Sequence, residues 1–359
     1  MTQLLFKQKL NTFLLEFEPR LENYFENKIE ERKNDTEASQ YVLKEIQRIT
    51  LSGGKRLRPA LVYFGYLLGE KQVEEELFSI GIALELFHAY LLIHDDIMDQ
   101  AETRRGIPTI ESIYKQKFQS LSNKDHLAVT GAILAGDYAS MLAHEIISTI
   151  PLSPSIKTLL LNLFFAMQHE VVSGQIDDCL GVGIEDFDHI SEENIVTMLK
   201  NKSGRYSIEK PLLIGATLAE VSPKKLNLLH QLGDDLGLLF QIVDDMIGIF
   251  GDEKKTGKPS NSDIFEGKRT LLMFYTYQCA SENERLRMKQ ILGNRAASAK
   301  DVIWLKGFIQ EKGIDTKLKT YTEDLEEKTQ ALLRDHFEPT NQGVPFLSHL
   351  ATYLLKREQ

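Results

Sequence analysis

Cysteine is scarce in this chain, with only Cys179 and Cys279 among 359 residues. The two lie far apart and lack the spacing of metal ligands, so they fit a reducing compartment, and we expect both to be small buried residues. The N-terminal sequence also lacks the basic start and apolar core of a signal peptide. Instead, Leu10, Phe13 and Phe17 recur at helical spacing, which predicts an amphipathic helix.

Positive charge is in deficit, and long apolar runs are absent. Lys and Arg number 42 against 52 Asp and Glu, for a formal net charge of −10, which argues against nucleic acid or an anionic membrane surface as the main partner. No apolar run approaches the ~20 residues that span a membrane, so we expect a soluble, cytoplasmic protein without stable membrane insertion. No Pro-, Gly- or Ser-rich linker occurs, which predicts one domain over residues 1–359.

Helical periodicity dominates the chain, and strand-like alternation bounded by turn signals is nearly absent. The predicted fold class is therefore all-α. The segments that we predict as helices are 41–50, 59–68, 74–99, 127–150, 155–175 and 226–250. Residues 251–270 are predicted as one long polar loop, of a length that is usually functional or disordered.

Two groups of aspartates interrupt apolar helical segments. Asp95 and Asp96, with Asp99 one turn later, form the first group, and Asp244 and Asp245 form the second. Adjacent carboxylates in apolar surroundings repel one another and lose hydration, at several kcal/mol for each unpaired ion. Magnesium removes that penalty, because it prefers oxygen ligands from carboxylates and phosphates. The two groups predict a polyphosphate that metal ions bridge from both sides.

Cationic residues accompany the first acidic group. Lys55 and Arg58 lie between a Gly-Gly helix stop and the next helix start, where free amides and the helix dipole favour phosphate. Arg104 and Arg105 come shortly after the acidic group, and His88 lies two turns before it on nearly the same face. The residues that could complete a second cationic set are Lys202, Ser203, Lys258 and Lys268.

These motifs resemble those of the trans-isoprenyl diphosphate synthases, above all the short-chain farnesyl and geranylgeranyl diphosphate synthases. The resemblance rests on GGKRLRP, HAYLLIHDDIMDQAETRRG, GQIDD, KSG, FQIVDD and GDEKKTGKP, and it covers about residues 40–275. It implies a single-domain bundle of long antiparallel helices around a central cavity, usually as a homodimer. It also implies a magnesium-dependent prenyltransferase that joins isopentenyl diphosphate to an allylic diphosphate.

The resemblance assigns roles to single residues. Those matching the metal-binding aspartates are Asp95, Asp96, Asp99, Asp244 and Asp245. Those matching the isopentenyl diphosphate site are Lys55, Arg58, His88 and Arg105. Those matching the allylic diphosphate site are Arg104, Lys202 with Ser203 beside it, Gln241 and Lys258. Gln175 and Asp178 match a pair on a cavity helix, and Tyr90 and Leu91 match the positions that set product length. The residues expected to act in catalysis are Asp95, Asp99, Asp244, Lys202 and Arg104.

Two departures from the family pattern concern metal binding and product length. Gly248 stands where the second motif normally has its third aspartate, which removes a carboxylate. The first motif has two residues before Asp99 rather than the four common in bacterial farnesyl diphosphate synthases. An aromatic residue such as Tyr90 implies a product of fifteen or twenty carbons, and we favour twenty.

Three other interpretations stay open at the level of sequence. A class I terpene cyclase also uses aspartate-rich helices and magnesium, but it leaves GGKRLRP and His88 unexplained. A metal phosphohydrolase of the HD type would use the His94-Asp95 pair, but the other histidines show no matching spacing. A regulatory subunit of a heteromeric synthase is compatible with the missing third aspartate, although the intact first motif argues against it.

Overall fold

The computed structural model describes residues 2–184, 187–251 and 262–357. These ranges are built from helices with one small antiparallel ribbon, so the predicted all-α fold class is confirmed. The first helices are α1 (Thr2–Glu31), α2 (Glu37–Leu51), α3 (Leu57–Leu67) and α4 (Glu75–Met98). The ribbon pairs β1 (Thr103–Arg104) with β2 (Ile107–Pro108).

Helices then follow one another to the C-terminus. The middle of the chain contains α5 (Ile110–Lys117), α6 (Lys124–Thr149), α7 (Pro154–Ile184), α8 (Glu192–Leu199), a π-helix (Lys200–Glu209), α9 (Lys210–Leu218) and α10 (Pro223–Phe250). The last part contains α11 (Ser262–Glu266), α12 (Leu271–Gln278), α13 (Glu282–Ile291), α14 (Ala299–Glu311), α15 (Ile314–His336) and α16 (Val344–Lys356). Three of these helices begin with capping boxes, at Ser191, Ser281 and Ser298, in which side chains satisfy the free amides of the first turn.

The six helices predicted from periodicity are all present, with ends that differ by a few residues, and α7 continues well past residue 175 to Ile184. The prediction of a loop over residues 251–270 is wrong in part, because residues 262–266 form α11. The prediction that both cysteines are buried is also wrong. Cys179 and Cys279 are both exposed.

Internal contacts divide the chain into two compact units. We call Lys7–Tyr63 with Gln72–Leu161 the N-terminal unit, and Met1–Phe6 with Phe64–Lys71 and Asn162–Gln359 the C-terminal unit. The organisation of the whole chain as a single domain stays a prediction.

The N-terminal unit is centred on α4, which lies along α6. The predicted amphipathic helix packs here, with Phe13 and Phe17 buried and their ring centroids 5.3 Å apart. Among the described residues, α4 is the one helix long and apolar enough to cross a membrane, with a mean hydropathy of 1.6. However, 67% of the apolar stretch is buried inside the protein, as expected for the core helix of a soluble protein.

In the C-terminal unit, the π-helix lies directly against α10. Pro211 follows the π-helix. A proline has no backbone N–H for the hydrogen bond to the carbonyl four residues earlier, and its ring crowds that carbonyl. Both effects favour a wider helical turn in the segment before it. Gly204 of the π-helix and Gly237 of α10 face each other, and a Cβ on Gly237 would lie 2.6 Å from the Cα of Gly204. The two backbones are therefore in direct contact.

Candidate active site

The first acidic motif lies at the C-terminal end of α4, in the N-terminal unit. Asp95 and Asp96 occupy the last turn, and Asp99 caps the helix, with its backbone N–H donating to the carbonyl of Asp95 at 2.8 Å. The chain then reverses in the ribbon, because Arg105 and the glycine after it adopt φ of 53° and 77°, as a hairpin turn of this hand requires. The reversal returns Arg104 to the end of α4.

Arg104 binds both members of the acidic pair. Its Nε lies 2.5 Å from Oδ1 of Asp96, and its Nη2 lies 3.1 Å from Oδ2 of Asp95. Asp96 is 3% exposed, and burial raises its pKa to about 6, although the charge of Arg104 acts in the opposite direction. The structure thus brings together Arg104 and the predicted metal-binding aspartates of the first motif.

A group of positive charges surrounds His88. Burial lowers the pKa of His88 well below its usual value, and the charges of Arg58, Arg105 and Arg104 lower it further. Burial also lowers the pKa of Arg105, with the neighbouring arginines contributing, and its guanidinium donates to the carbonyl of Gly53. Three of the four residues predicted to hold isopentenyl diphosphate therefore lie within electrostatic reach of one another. An anion bound among these positive charges would reduce their mutual repulsion.

The basic run that starts at Lys55 divides into an exposed and a buried part. Lys55 is exposed, as expected for a residue that meets a ligand. Arg56 is 4% exposed, with its Nη1 2.5 Å from Oε2 of Glu85 and its Nε 2.9 Å from Oε1 of Glu18. Arg56 therefore anchors the loop between α2 and α3, a role that the sequence analysis missed because a run of charges does not indicate which one faces inward.

The predicted length-determining residues lie one turn before the first motif. Tyr90 packs with its ring 4.8 Å from that of His94, and burial raises the pKa of its hydroxyl. Leu91, the next residue, is half-buried. The Nε2 atom of His94 lies 3.1 Å from the carbonyl oxygen of Ile133 on α6, so this ring is used in helix packing.

The second acidic motif lies near the C-terminal end of α10, in the C-terminal unit. Asp244 is paired with Arg357, whose Nη2 lies 2.9 Å from its Oδ1 and also donates to the carbonyl of Phe240 at 2.9 Å. The guanidinium stacks 4.2 Å above the Phe240 ring. The role of Arg357 could not be predicted from the sequence, because the last 80 or so residues carry no recognisable motif.

Asp245 is held by the residue one turn before it. Its Oδ1 accepts a hydrogen bond from Nε2 of Gln241 at 2.7 Å. Burial raises its pKa well above the usual value, and the charges of Asp263 and Asp244 raise it further. Gln241, predicted to bind the allylic diphosphate, therefore orients a carboxylate of the second motif.

The lysine of the KSG motif is held by α7. Lys202 forms an ion pair with Asp178 through its Nζ, so the structure connects two residues that the sequence analysis had selected separately. Gln175, one turn before, has its Nε2 3.3 Å from Sγ of Cys179. Ser203 follows Lys202 in the π-helix and is half-buried.

The lysines of the polar loop have different outcomes. Lys258 lies outside the described residues, so its predicted role stays a prediction. Lys268 is half-buried beside two acidic residues, with its Nζ 2.9 Å from Oδ1 of Asp263 and 3.0 Å from Oε2 of Glu266. These contacts hold the ammonium group of Lys268 in place, and its membership of the cationic set stays a prediction.

The acidic motifs suit a metal ion that shares its ligands with water and phosphate. Among the residues that the structure describes, no three His, Cys, Asp or Glu side chains are close enough to hold a metal ion by themselves. Magnesium does not require such a cage, since it usually binds one or two carboxylates together with water and substrate phosphates. Oδ2 of Asp245 is buried and has no hydrogen-bond partner within the described ranges. A hydrated cation would satisfy this oxygen.

Comparison with known proteins identifies the family. Residues 39–307 match the family model of the polyprenyl synthetases, which is well over half of the chain. The chain belongs to the polyprenyl synthetase family. This polyprenyl synthetase is 34% identical over 277 residues to the short chain isoprenyl diphosphate synthase of Methanocaldococcus jannaschii, covering 76% of this chain and 79% of that one. It is 32% identical over 305 residues to the geranylgeranyl diphosphate synthase of Sulfolobus acidocaldarius, covering 82% and 86%.

A solved structure of a related enzyme has the same fold. The geranylgeranyl pyrophosphate synthase of Corynebacterium glutamicum, complexed with isoprenyl diphosphate and magnesium, matches with a TM-score of 0.82 at 27% identity, covering 99% of this chain and 98% of that one. The polyprenyl synthetases are metal-dependent trans-prenyltransferases that act on isoprenyl diphosphates. The prediction of a trans-isoprenyl diphosphate synthase is therefore confirmed.

Proposed function

We propose that this enzyme condenses isopentenyl diphosphate with an allylic diphosphate to form a short-chain all-trans prenyl diphosphate, and that geranylgeranyl diphosphate is its main product. The observation that carries this proposal is the group of arginines around His88, beside a carboxylate pair held by Arg104. A protein of net charge −10 retains such a group where it binds an anion. The archaeal relatives named geranylgeranyl diphosphate synthase support the choice of product.

The homoallylic substrate, isopentenyl diphosphate, is bound by Lys55, Arg58, His88 and Arg105. Arginine donates to phosphate through a planar fork that fixes orientation as well as charge. His88 adds a donor without adding charge, because its pKa is low. Binding of the diphosphate raises that pKa, since the anion offsets the nearby guanidinium groups.

Magnesium is the proposed cofactor, held by Asp95, Asp99 and Asp244, with Asp96 and Asp245 supporting them. When bound, it would neutralise the charge that develops on the departing diphosphate of the allylic substrate. The side chains that bind the same diphosphate are Arg104, Lys202, Ser203, Gln241 and Lys258. The ion pair between Lys202 and Asp178 fixes the ammonium group before the substrate arrives, so little reorganisation is needed during ionisation.

The reaction proceeds by ionisation, condensation and elimination. The carbon–oxygen bond of the allylic diphosphate breaks, and both electrons leave with the diphosphate. The double bond of isopentenyl diphosphate then attacks the allylic cation, which forms the new carbon–carbon bond and moves the positive charge. Loss of a proton to the released diphosphate restores a double bond. The protein contributes orientation of the two substrates and apolar helix faces that keep water from the cation.

Product length depends on the residues before the first motif. We propose that Tyr90 and Leu91 limit chain growth. The contacts of Tyr90 with His94 and Phe87 hold its ring in one place, which a barrier to a growing chain requires. Tyr90→Ala should lengthen the product, and chromatography that shows an unchanged chain length would exclude Tyr90 from this role.

We propose that the enzyme is a cytoplasmic homodimer. Exposed apolar side chains recur along α7 at Phe165, Val172, Ile176 and Leu180, which fall on one side of the helix. Such stripes are typical of subunit interfaces. Light scattering coupled to size-exclusion chromatography should give twice the mass of the chain, and a Phe165→Glu/Ile176→Glu variant should give the mass of the monomer.

One experiment tests the proposed function directly. The pure protein is incubated with labelled isopentenyl diphosphate, magnesium and allylic primers of five, ten or fifteen carbons, and the products are sized. We expect a twenty-carbon product from each accepted primer. Asp95→Ala and Asp244→Ala should each abolish condensation while the circular dichroism spectrum stays helical. The exposed control Asp335→Ala should retain condensation. Turnover in the first two variants at the wild-type rate would refute the metal-ligand assignment.

A subunit role is the second candidate function. The chain is 28% identical to the heptaprenyl diphosphate synthase component 2 of Geobacillus stearothermophilus over 238 residues, covering 66% of this chain and 65% of that one. Synthesis by the purified chain alone would exclude dependence on another subunit. A product that forms without isopentenyl diphosphate would instead indicate a terpene cyclase.

A further inference from the structure

The second acidic motif lacks its third aspartate, yet a carboxylate occupies the place where that side chain would begin. Position 248 lies one turn after Asp244 on α10, so a side chain there shares the face of Asp244. Gly248 leaves this place open, and a Cβ built on it would overlap with Oδ2 of Asp263 and lie 3.0 Å from its Cγ. Asp263 belongs to α11, not to α10.

The carboxylate of Asp263 is held in a defined orientation. Its Oδ1 accepts from Nζ of Lys268 at 2.9 Å, while its Oδ2 is directed at Gly248. The residue is 8% exposed, so its position is fixed by packing and not by solvent. Lys268 also contacts Glu266 at 3.0 Å, which holds the ammonium group in place on its other side.

The neighbouring carboxylate points to a missing ligand. Asp245 is 5% exposed, and its Oδ2 has no hydrogen-bond partner within the described part of the chain. A buried carboxylate oxygen without a hydrogen-bond partner is satisfied by a cation or by water bound to one.

We propose that Asp263 replaces the third aspartate of the second acidic motif and helps to hold the hydrated magnesium ion there. This inference rests on the proposed function, because the ion is the one expected to accompany the allylic diphosphate. It makes Asp263 a positioning residue that acts on the metal through water. It also makes Gly248 a requirement, since any side chain at 248 would displace the carboxylate of Asp263.

The test measures metal binding and not turnover. Mn²⁺ or Mg²⁺ is titrated into the full-length protein with inorganic pyrophosphate present, and the dissociation constant is read by calorimetry. Asp263→Asn should weaken binding about 10- to 100-fold, the range for residues that support metal ligands. Glu266→Gln is the matched control, because it removes the other acidic partner of Lys268 and should leave the constant unchanged.

A transplanted carboxylate separates a metal role from a purely structural one. Gly248→Asp alone should weaken binding, because two carboxylates would share one space. Gly248→Asp combined with Asp263→Ala should restore the wild-type constant, since the carboxylate then comes from α10. Thermal unfolding confirms that each variant is folded, and Asp263→Asn keeps the shape of the side chain if the alanine variant proves unstable.

The outcomes distinguish this inference from the function on which it rests. Wild-type protein that binds no divalent cation with pyrophosphate would refute the proposed function itself. Wild-type protein that binds the cation while Asp263→Asn binds it equally well would refute only the role of Asp263. Tighter binding by Gly248→Asp than by the wild type would also overturn the inference, because it would show that the place is vacant.

Discussion

The buried arginine of the GGKRLRP loop offers a quantitative test of how this segment is held. Arg56 has 2% of its side chain exposed and Glu85 has 4%, and their charged atoms lie 2.5 Å apart. Removing one member of a buried pair leaves the other charge without compensation, which costs about 3–5 kcal/mol. Arg56→Met should therefore lower the free energy of unfolding by that amount. The melting temperature should fall by roughly 6–20 °C, at about 2–4 °C for each kcal/mol.

The double variant Arg56→Met/Glu85→Leu provides the control for this reasoning. Replacing both members of a buried pair by apolar residues of similar size is often neutral, so most of the lost stability should return. The exposed neighbour Lys55 should behave in the opposite way. Lys55→Gln should change the free energy of unfolding by less than about 0.5 kcal/mol and raise KM for isopentenyl diphosphate.

Urea unfolding followed by circular dichroism gives the free energies, and steady-state kinetics gives KM. Arg56→Met with wild-type stability would show that the contact with Glu85 does not anchor the loop. A double variant as unstable as the single one would show that the loss comes from packing and not from an uncompensated charge.

Two other predictions concern stability. His230 donates a hydrogen bond to the buried Glu209, with Nδ1 of His230 2.7 Å from Oε1 of Glu209. This hydrogen bond raises the pKa of His230. Its contribution to folding stability is fully present below the ordinary histidine pKa of about 6.5 and is lost as the pH rises through the raised pKa. His230→Gln should therefore lower the urea midpoint more at pH 6 than at pH 9, and an equal loss at both would contradict the assignment. Gly136→Ala should cost about 1–3 kcal/mol, because its Cβ would overlap with the ring of His94, whereas Gly307→Ala, with nothing within 4 Å of its Cβ, should stabilise its helix by about 0.5–1 kcal/mol. Similar melting temperatures for these two glycine variants would refute the close contact with His94.

The sequence predicted the helices and the motifs well, because both depend on local patterns. The spacing of apolar residues predicts α4 and α10. Asp95 and Asp244 stand out because they lie within apolar segments. The inward direction of Arg56 could not be predicted, since an exposed and a buried arginine look alike in a basic run. Its partner Glu85 lies on α4, and only packing brings the two together.

The contacts that the sequence could not predict are those between residues distant along the chain. Asp263 fills the place of a side chain missing at Gly248, although the sequence shows only the loss. Arg357 reaches Asp244 from the position just after the last helix, where no motif indicates a role. Each of these contacts depends on how helices pack in three dimensions, which hydrophobic periodicity does not specify.

The direct backbone contact between Gly204 and Gly237 has a mechanical consequence for the C-terminal unit. Where two helices touch without intervening side chains, no rotamer can adjust to absorb a displacement. This contact therefore fixes the spacing between the π-helix, which contains Lys202, and α10, which contains Asp244. A side chain at either position would meet the backbone of the other helix and push the two helices apart, so the spacing of these two charged residues depends on both glycines.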